Sequence, residues 1–148
     1  MIRRAPLPAD IRHRLPRLAE VFRDDVQVAA VYLFGSFARG TEGPLSDVDI
    51  AILLEPGIDR ARLAALTLHY TEAVLATLGT DEVSVVMLNT APLPLRYRVI
   101  RDGLVLLDRS STARRNFEVQ TQSAYFDFKP ALDAYDDELL RQLQAPRA

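Results

Sequence analysis

The chain has 148 residues, of which 49% are hydrophobic and 26% charged, and its net charge is -2. A chain of about 150 residues with this composition is typical of one globular domain with its own hydrophobic core. It contains no cysteine, which excludes disulfides, thiolate zinc sites and a cysteine nucleophile. Because 18 basic residues nearly balance 20 acidic ones, we expect no direct binding of nucleic acid and no attraction to an anionic membrane surface.

No apolar stretch approaches the ~20 residues that a membrane-spanning helix needs. The first residues, 1–8, also lack the apolar centre of a secretory leader. We therefore expect a cytoplasmic protein without a membrane anchor.

Apolar patterning predicts four strands separated by helices. Residues 9–24 have helical spacing, with a break at Pro16, because proline suits the first turn of a helix better than its middle. Short apolar runs predict strands at residues 27–34, 47–54, 82–88 and 104–107. Helices are predicted after Gly35, over 60–78 between Asp59 and Gly79, and from Pro92 or Pro94 to 102–103.

The final region, 111–144, is predicted to be helical and interrupted by Pro130. It carries an aromatic-rich stripe that either covers the sheet or binds a partner: Phe117, Tyr125, Phe126, Phe128, Leu132, Tyr135, Leu139 and Leu140. The element order indicates an α/β (α+β) fold, in which a small mixed sheet of about four strands carries packed helices within a single domain, 1–148.

Two aspartates mark the start of the second predicted strand. Asp47 and Asp49 are two residues apart, so their side chains project from the same face of a strand. Paired carboxylates repel each other unless a cation lies between them, and oxygen-only ligands favour Mg²⁺ or Mn²⁺. The pair therefore predicts a divalent metal site that also binds substrate phosphates.

Gly35 and Ser36 lie where the first predicted strand ends and a predicted helix begins. Glycine allows an anion to approach the backbone, and exposed N–H groups and the serine hydroxyl can donate to it. Arg39, one turn further on, can contact phosphate or pair with an acid. An anion site shortly before a carboxylate pair is the outline of a nucleoside-triphosphate site.

These motifs resemble a known family. Gly35-Ser36, Ala38-Arg39-Gly40 and Ser46-Asp47-x-Asp49 match the signature of the DNA polymerase beta-like nucleotidyltransferase superfamily. The length and the segments 91–103 and 124–140 look like its minimal branch, the MntA-like antitoxins. The resemblance implies a polymerase beta-like nucleotidyltransferase fold over nearly the whole chain.

The resemblance also implies a function, namely transfer of AMP from the substrate ATP to a hydroxyl group with bound Mg²⁺. Gly35, Ser36, Arg39 and Ser46 would bind the nucleotide, and the catalytic acids Asp47 and Asp49 would hold the metal. In the antitoxin branch the acceptor would be a tyrosine of a HEPN-domain toxin, which forms a hetero-oligomer with the antitoxin.

One position departs from the family pattern. The third carboxylate that the family supplies from the third strand corresponds to Ser84, whose hydroxyl has no charge to hold a dication. Glu82 shares that strand face and could substitute through its longer side chain. We therefore expect a weakened or inactive transferase that still recognises the nucleotide.

Two alternatives remain open. The chain could be a non-catalytic antitoxin that acts by binding and occlusion, or a free-standing nucleotidyltransferase that modifies a small-molecule hydroxyl.

A second cluster, formed by Arg96, Arg98 and Arg101, is expected to be solvated charge at a helix end, with contact to the triphosphate or an acidic partner as its alternative.

Overall fold

Four strands form one sheet in the part of the chain that the computed structural model describes, residues 7–43 and 46–145. They are β1 (Val28–Phe34), β2 (Val48–Leu54), β3 (Val83–Met87) and β4 (Leu104–Asp108). Their order is β3-β2-β1-β4, in which β1 is antiparallel to both β2 and β4, whereas β2 and β3 are parallel. The predicted small mixed sheet is confirmed.

Helices connect and cover the strands. They are α1 (Ile11–Arg14), α2 (Pro16–Phe22), α3 (Gly35–Arg39), α4 (Arg60–Leu78), α5 (Leu93–Asp102) and α6 (Ser111–Gln144), with a 3-10 turn at Leu88–Thr90. The predicted break at Pro16 is confirmed, since α2 begins at this residue. Asp59 caps α4 by accepting a 3.0 Å hydrogen bond from the Ala61 amide, and Gly79 ends the helix in a left-handed conformation.

The two faces of the sheet have different covers. Helices α1, α2 and α4 pack on one face, where β2 contributes Val48, Ile50, Ile52 and Leu54. The other face, with Ala51 and Leu53 of β2, packs against α5 and the start of α6. Because side chains alternate along a strand, Asp49 lies on this second face. The carboxylate is thus turned toward α5.

Helix α6 runs without interruption from Ser111 to Gln144, so the predicted interruption at Pro130 is wrong. A proline inside a helix removes one backbone hydrogen bond and costs about 3 kcal/mol. Strong helix formers, including Ala131, Leu132 and Ala134, follow the proline directly, and the bonds on either side carry the helix through this position.

The first half of α6 is fixed to the sheet by a polar network. The Tyr32 hydroxyl donates a 2.8 Å hydrogen bond to Oε1 of Glu118, which also accepts a 3.0 Å hydrogen bond from Arg114. Arg114 forms a second ion pair, at 3.1 Å, with Asp108 at the end of β4. Burial, reinforced by Glu118, raises the pKa of Tyr32, so its phenol stays protonated and acts as the donor.

The aromatic-rich stripe of α6 divides into two parts. Phe117 packs against the core, and the Tyr125 ring stacks on Tyr97 of α5 with the ring centroids 3.8 Å apart. Further along, large apolar side chains are exposed: Phe126, Phe128, Tyr135, Leu139, Leu140 and Leu143. The first part of the stripe covers the sheet, as one of the two predicted interpretations requires, and the second part does not.

Among the residues described, no helix combines the length and apolarity needed to cross a membrane.

Candidate functional site

The strand register brings Gly35 and Asp49 together. Phe34, the last residue of β1, pairs with Asp49 of β2, and the chain turns into α3 immediately afterwards. Gly35 makes this turn with φ +71°, a conformation that side chains rarely adopt. A Cβ atom built on Gly35 overlaps Oδ2 of Asp49. Glycine is therefore required here both by its backbone conformation and by the approach of the carboxylate.

A cleft of about 400 Å³ opens at this point. It is lined by Phe34, Gly35, Ser36, Arg39, Asp49, Arg98 and Asp102. Four of the predicted site residues, Gly35, Ser36, Arg39 and Asp49, therefore share one cavity. Charges of both signs face it, with two arginines and two aspartates.

The two predicted metal-binding acids lie at the start of β2. Asp47 directly precedes the strand and is exposed, whereas Asp49 is the second strand residue and is half-buried. Burial raises the pKa of Asp49, the charge of Asp47 raises it further, and the charges of Arg39 and Arg98 act in the opposite direction. The charge of Asp47 thus disfavours the ionised form of Asp49, which a bound cation would relieve.

This donor set fits Mg²⁺. The ion is commonly bound through one or two carboxylates together with waters and substrate phosphates, rather than by a complete protein cage. Asp47 and Asp49 supply two carboxylates on one sheet face, and the cleft beside them has room for phosphates. Within the described residues, no three histidine, aspartate or glutamate side chains form a metal-binding group.

Ser84 lies beside Asp49 on the edge strand. In the parallel pairing of β2 and β3, the register places Asp49 directly opposite Ser84, and side chains of such a pair project from the same sheet face. Ser84 is exposed. Glu82, the predicted substitute, precedes β3, and its carbonyl accepts a 3.2 Å hydrogen bond from the Val48 amide. Glu82 is level with Asp47, two residues along the strand from Ser84, which is level with Asp49.

Ser46 stabilises the loop that precedes the acids. Its Oγ accepts a 2.9 Å hydrogen bond from the Gly43 amide, and its own amide donates to the Gly43 carbonyl at 3.1 Å. These bonds join Ser46 to Gly43; residues 44 and 45 lie outside the described residues. Ser46 does not line the cleft in the described part of the chain.

The arginine cluster of the sequence is separated by the structure. Arg98 lines the cleft, as the alternative interpretation of the cluster predicts. Arg101 is exposed, forms a 2.8 Å ion pair with Asp102 and lies over the Tyr97 ring. Arg96 lies instead in a second cavity, beside Phe117 and Asn89. Only one of the three arginines therefore faces the site.

Sequence reasoning missed Asp102. The hydrogen bond from Arg101 lowers its pKa most, and the charges of Arg101, Arg39 and Arg98 contribute to the lowering. Its position at the C-terminal end of α5, one turn after Arg98, is the signal that could have identified it, because residues four apart share a helix face. That α5 covers the face of β2 that carries Asp49 could not be read from periodicity.

The arrangement is suited to a polyanion and a divalent cation together. Arg39 and Arg98 can donate to phosphate oxygens, and Ser36 adds a hydroxyl donor in the first turn of α3. Asp47 and Asp49 would hold a divalent cation that neutralises the same anion. A nucleoside triphosphate with bound Mg²⁺ has this distribution of charge.

Comparisons with known proteins identify a nucleotidyltransferase family. Residues 17–112 match the family model described as polymerase beta, nucleotidyltransferase. The chain is 26% identical over 130 residues to the protein adenylyltransferase MntA of Shewanella oneidensis, covering 87% of this chain and 89% of that protein.

Solved structures are similar as well. A toxin–antitoxin structure with AMP-PNP contains a chain with 26% identity and a TM-score of 0.68, covering 85% of this chain and 98% of the other. A tri-AMPylated Shewanella oneidensis HEPN toxin in complex with MNT antitoxin shares the fold, with 23% identity, a TM-score of 0.65, and coverage of 88% and 98%.

Proposed function

The chain belongs to the polymerase beta nucleotidyltransferase family, and on that premise we propose that it is an antitoxin that transfers AMP from ATP to a tyrosine of a HEPN-domain toxin. A single nucleotidyltransferase domain, acting in the cytoplasm in a hetero-oligomer with the toxin, is sufficient for this role. The protein adenylyltransferase MntA and the toxin–antitoxin structure with AMP-PNP, both 26% identical to this chain, support the proposal.

The close approach of Gly35 and Asp49 is the observation that carries it. It places the strand-to-helix turn, with Ser36 and Arg39, against the acid that would hold the metal. Phosphates in the cleft would therefore touch both groups at once. A site that bound only an anion would have no reason to hold a half-buried carboxylate there, since the carboxylate repels anions.

In the proposed reaction, the oxygen of the tyrosine hydroxyl attacks the α-phosphorus of ATP. The bond from that phosphorus to the oxygen bridging to the β-phosphate breaks, pyrophosphate leaves, and the hydroxyl proton passes to solvent. Arg39, Arg98 and Ser36 orient the phosphates by donating to their oxygens, and Asp47 and Asp49 would hold Mg²⁺. The bound ion supplies charge neutralisation and Lewis acidity.

Ser84 sets the expected rate of this chemistry. It lies level with Asp49 and offers a neutral hydroxyl where the family has a third carboxylate. Two carboxylates are enough to bind Mg²⁺ with a triphosphate, but activation of the attacking hydroxyl is weakened. We therefore expect nucleotide binding of ordinary strength and slow transfer.

Occlusion of the toxin without chemistry is the second candidate function. The exposed apolar part of α6 and the neutral Ser84 favour it. Transfer to a free small molecule has less support, because the 400 Å³ cleft accommodates phosphates and leaves little volume for an acceptor.

Rescue of growth separates the first two functions. The product of the neighbouring reading frame, which this proposal requires to be a HEPN-domain protein, is expressed alone, with the wild type, and with an Asp47→Asn/Asp49→Asn variant. We expect the wild type to restore growth and the variant to fail while still co-purifying with the toxin. Equal rescue by the variant would favour occlusion and contradict the transferase.

A further inference from the structure

The second half of α6 carries a regular apolar seam that nothing in the described part of the chain covers. Its members, Phe128, Leu132, Tyr135 and Leu139, are spaced alternately by four and three residues. This is the a/d spacing with which one helix packs along another. We call these four residues the distal seam. Tyr135 is 67% exposed and Leu139 42% exposed.

The distal seam continues the stripe by which α6 packs on its own domain. Thr121, which is fully buried, and Tyr125, which stacks on Tyr97 of α5, precede Phe128 at the same alternate spacing. One helix face therefore changes from covered to uncovered along its length. From Phe126 to Gln144 the helix extends about 28 Å at its ordinary rise per residue.

Charge beside the distal seam selects the kind of helix that can cover it. Between Asp127 and Glu138 there are five acidic residues and one basic residue, Lys129, which is itself paired with Asp133 at 2.7 Å. Two copies of so acidic a segment repel each other, whereas a helix with lysine or arginine beside its apolar stripe is attracted. The complementary partner is therefore another protein rather than a second copy of this chain.

The distal seam begins one helical turn after the contact of α6 with α5, the helix that forms one wall of the cleft. Helix α5 presents Arg98 and Asp102 to the cleft, and its Tyr97 packs against Tyr125, three residues before the seam starts. A helix docked on the distal seam thus lies next to the helix that forms one wall of the cleft. Docking there would bring side chains of the partner close to bound nucleotide.

We propose that the distal seam docks an amphipathic helix of the acceptor protein, with basic residues flanking its apolar face, and thereby delivers the acceptor hydroxyl to the cleft. This inference rests on the proposed function and adds to it the surface that recognises the acceptor. Recognition and chemistry then lie on different elements, with recognition on α6 and chemistry at the turn from β1 to α3 and the start of β2, and can be removed separately.

Matched variants of α6 test the proposal. Leu139→Ala and Tyr135→Ala/Leu139→Ala remove exposed seam side chains, while Leu140→Ala removes an equally large side chain that is 54% exposed and lies off the seam. Alanine keeps the helix, and circular dichroism and thermal unfolding verify that each variant folds. Affinity for the product of the neighbouring reading frame, which the proposed function requires to be a HEPN-domain protein, is measured by calorimetry, and affinity for ATP with Mg²⁺ in parallel.

We expect the double variant to bind the partner about 30-fold more weakly or worse, Leu140→Ala to bind within about threefold of wild type, and ATP binding to be unchanged. Partner binding of wild-type strength in the double variant would overturn the docking surface and leave the transferase proposal intact. Sedimentation of the chain alone tests a second copy as the occupant. Self-association of the wild type that is lost in Leu139→Ala would assign the distal seam to a second copy and would also overturn the docking proposal. If the wild type neither binds nor modifies the partner, both proposals fail.

Discussion

The carboxylate of Asp49 occupies the space next to the Gly35 α-carbon that any side chain at position 35 would need. The contact follows from the register in which Phe34 pairs with Asp49 and from the left-handed turn that starts α3. It joins the turn that starts α3 to the strand that carries Asp49. The integrity of the site therefore depends on a residue that has no side chain.

Replacing Gly35 by alanine tests this contact. Both Gly35 and Gly40 have φ +71°, but a Cβ at Gly40 meets nothing within 4 Å. Alanine at either position costs about 1–2 kcal/mol in backbone conformation, and only Gly35→Ala also displaces Asp49. Calorimetric titration should show ATP binding retained in Gly40→Ala and lost in Gly35→Ala. Binding of equal strength in the two variants would contradict a shared site at Gly35 and Asp49.

Neutralising Asp49 should stabilise the metal-free protein. Because burial and Asp47 raise its pKa, ionised Asp49 destabilises the folded state above that pKa, and the penalty vanishes as the pH falls below the ordinary aspartate pKa. Asp49→Asn should raise the thermal unfolding midpoint at pH 7, with the gain shrinking as the solution is acidified.

Magnesium provides the control for that experiment. When the concentration of Mg²⁺–ATP is one hundred times its dissociation constant for the wild type, it should stabilise the wild type by about 2.7 kcal/mol. The same concentration should stabilise Asp49→Asn much less. A lower unfolding midpoint for metal-free Asp49→Asn, or equal stabilisation of both proteins by Mg²⁺ and ATP, would argue that Asp49 is a structural residue.

Adding a carboxylate at position 84 should accelerate transfer. Ser84 is exposed and level with Asp49, so aspartate fits without repacking and restores the charge that the family pattern has there. We expect Ser84→Asp to raise the single-turnover rate about tenfold or more, which corresponds to about 1.4 kcal/mol of barrier. Ser84→Asn, similar in size but uncharged, should remain at the wild-type rate. A similar gain in both variants would show that charge is not the missing element.

Arg98 should contribute to nucleotide affinity. Loss of a charged hydrogen bond to phosphate costs about 1.5–3 kcal/mol, so Arg98→Ala should raise the dissociation constant for ATP roughly 10- to 100-fold. Arg115, exposed on α6, supplies the matched control. Fluorescence titration with a labelled ATP analogue measures both. An unchanged affinity in Arg98→Ala would remove this arginine from the phosphate site.

Most elements could be predicted from the sequence because their signals are local. Asp59 and Gly79 bound α4 where the sequence predicts, and the strand limits agree to within one or two residues. Pro130 was misleading, because a proline signal is local while the continuity of α6 depends on the residues on both of its sides.

The site could be predicted only in part. Four site residues were identifiable because they lie within one short segment of the sequence: Gly35, Ser36, Arg39 and Asp49. The structure places all four in the cleft. Asp102 was not, because it reaches the cleft through the packing of α5 on one sheet face, and periodicity does not specify which helix covers which face. The register that sets Ser84 against Asp49 is likewise a tertiary property.

Transfer of labelled AMP to the partner is the reaction that defines the proposed function. The chain is incubated with adenine-labelled ATP, Mg²⁺ and the product of the neighbouring reading frame, which the proposed function requires to be a HEPN-domain protein, and the products are resolved by intact-mass spectrometry. We expect slow addition of AMP to a tyrosine of the partner, faster with Ser84→Asp and absent with Asp47→Asn/Asp49→Asn. A partner that stays unmodified with both the wild type and Ser84→Asp, despite measurable ATP binding, would contradict that function.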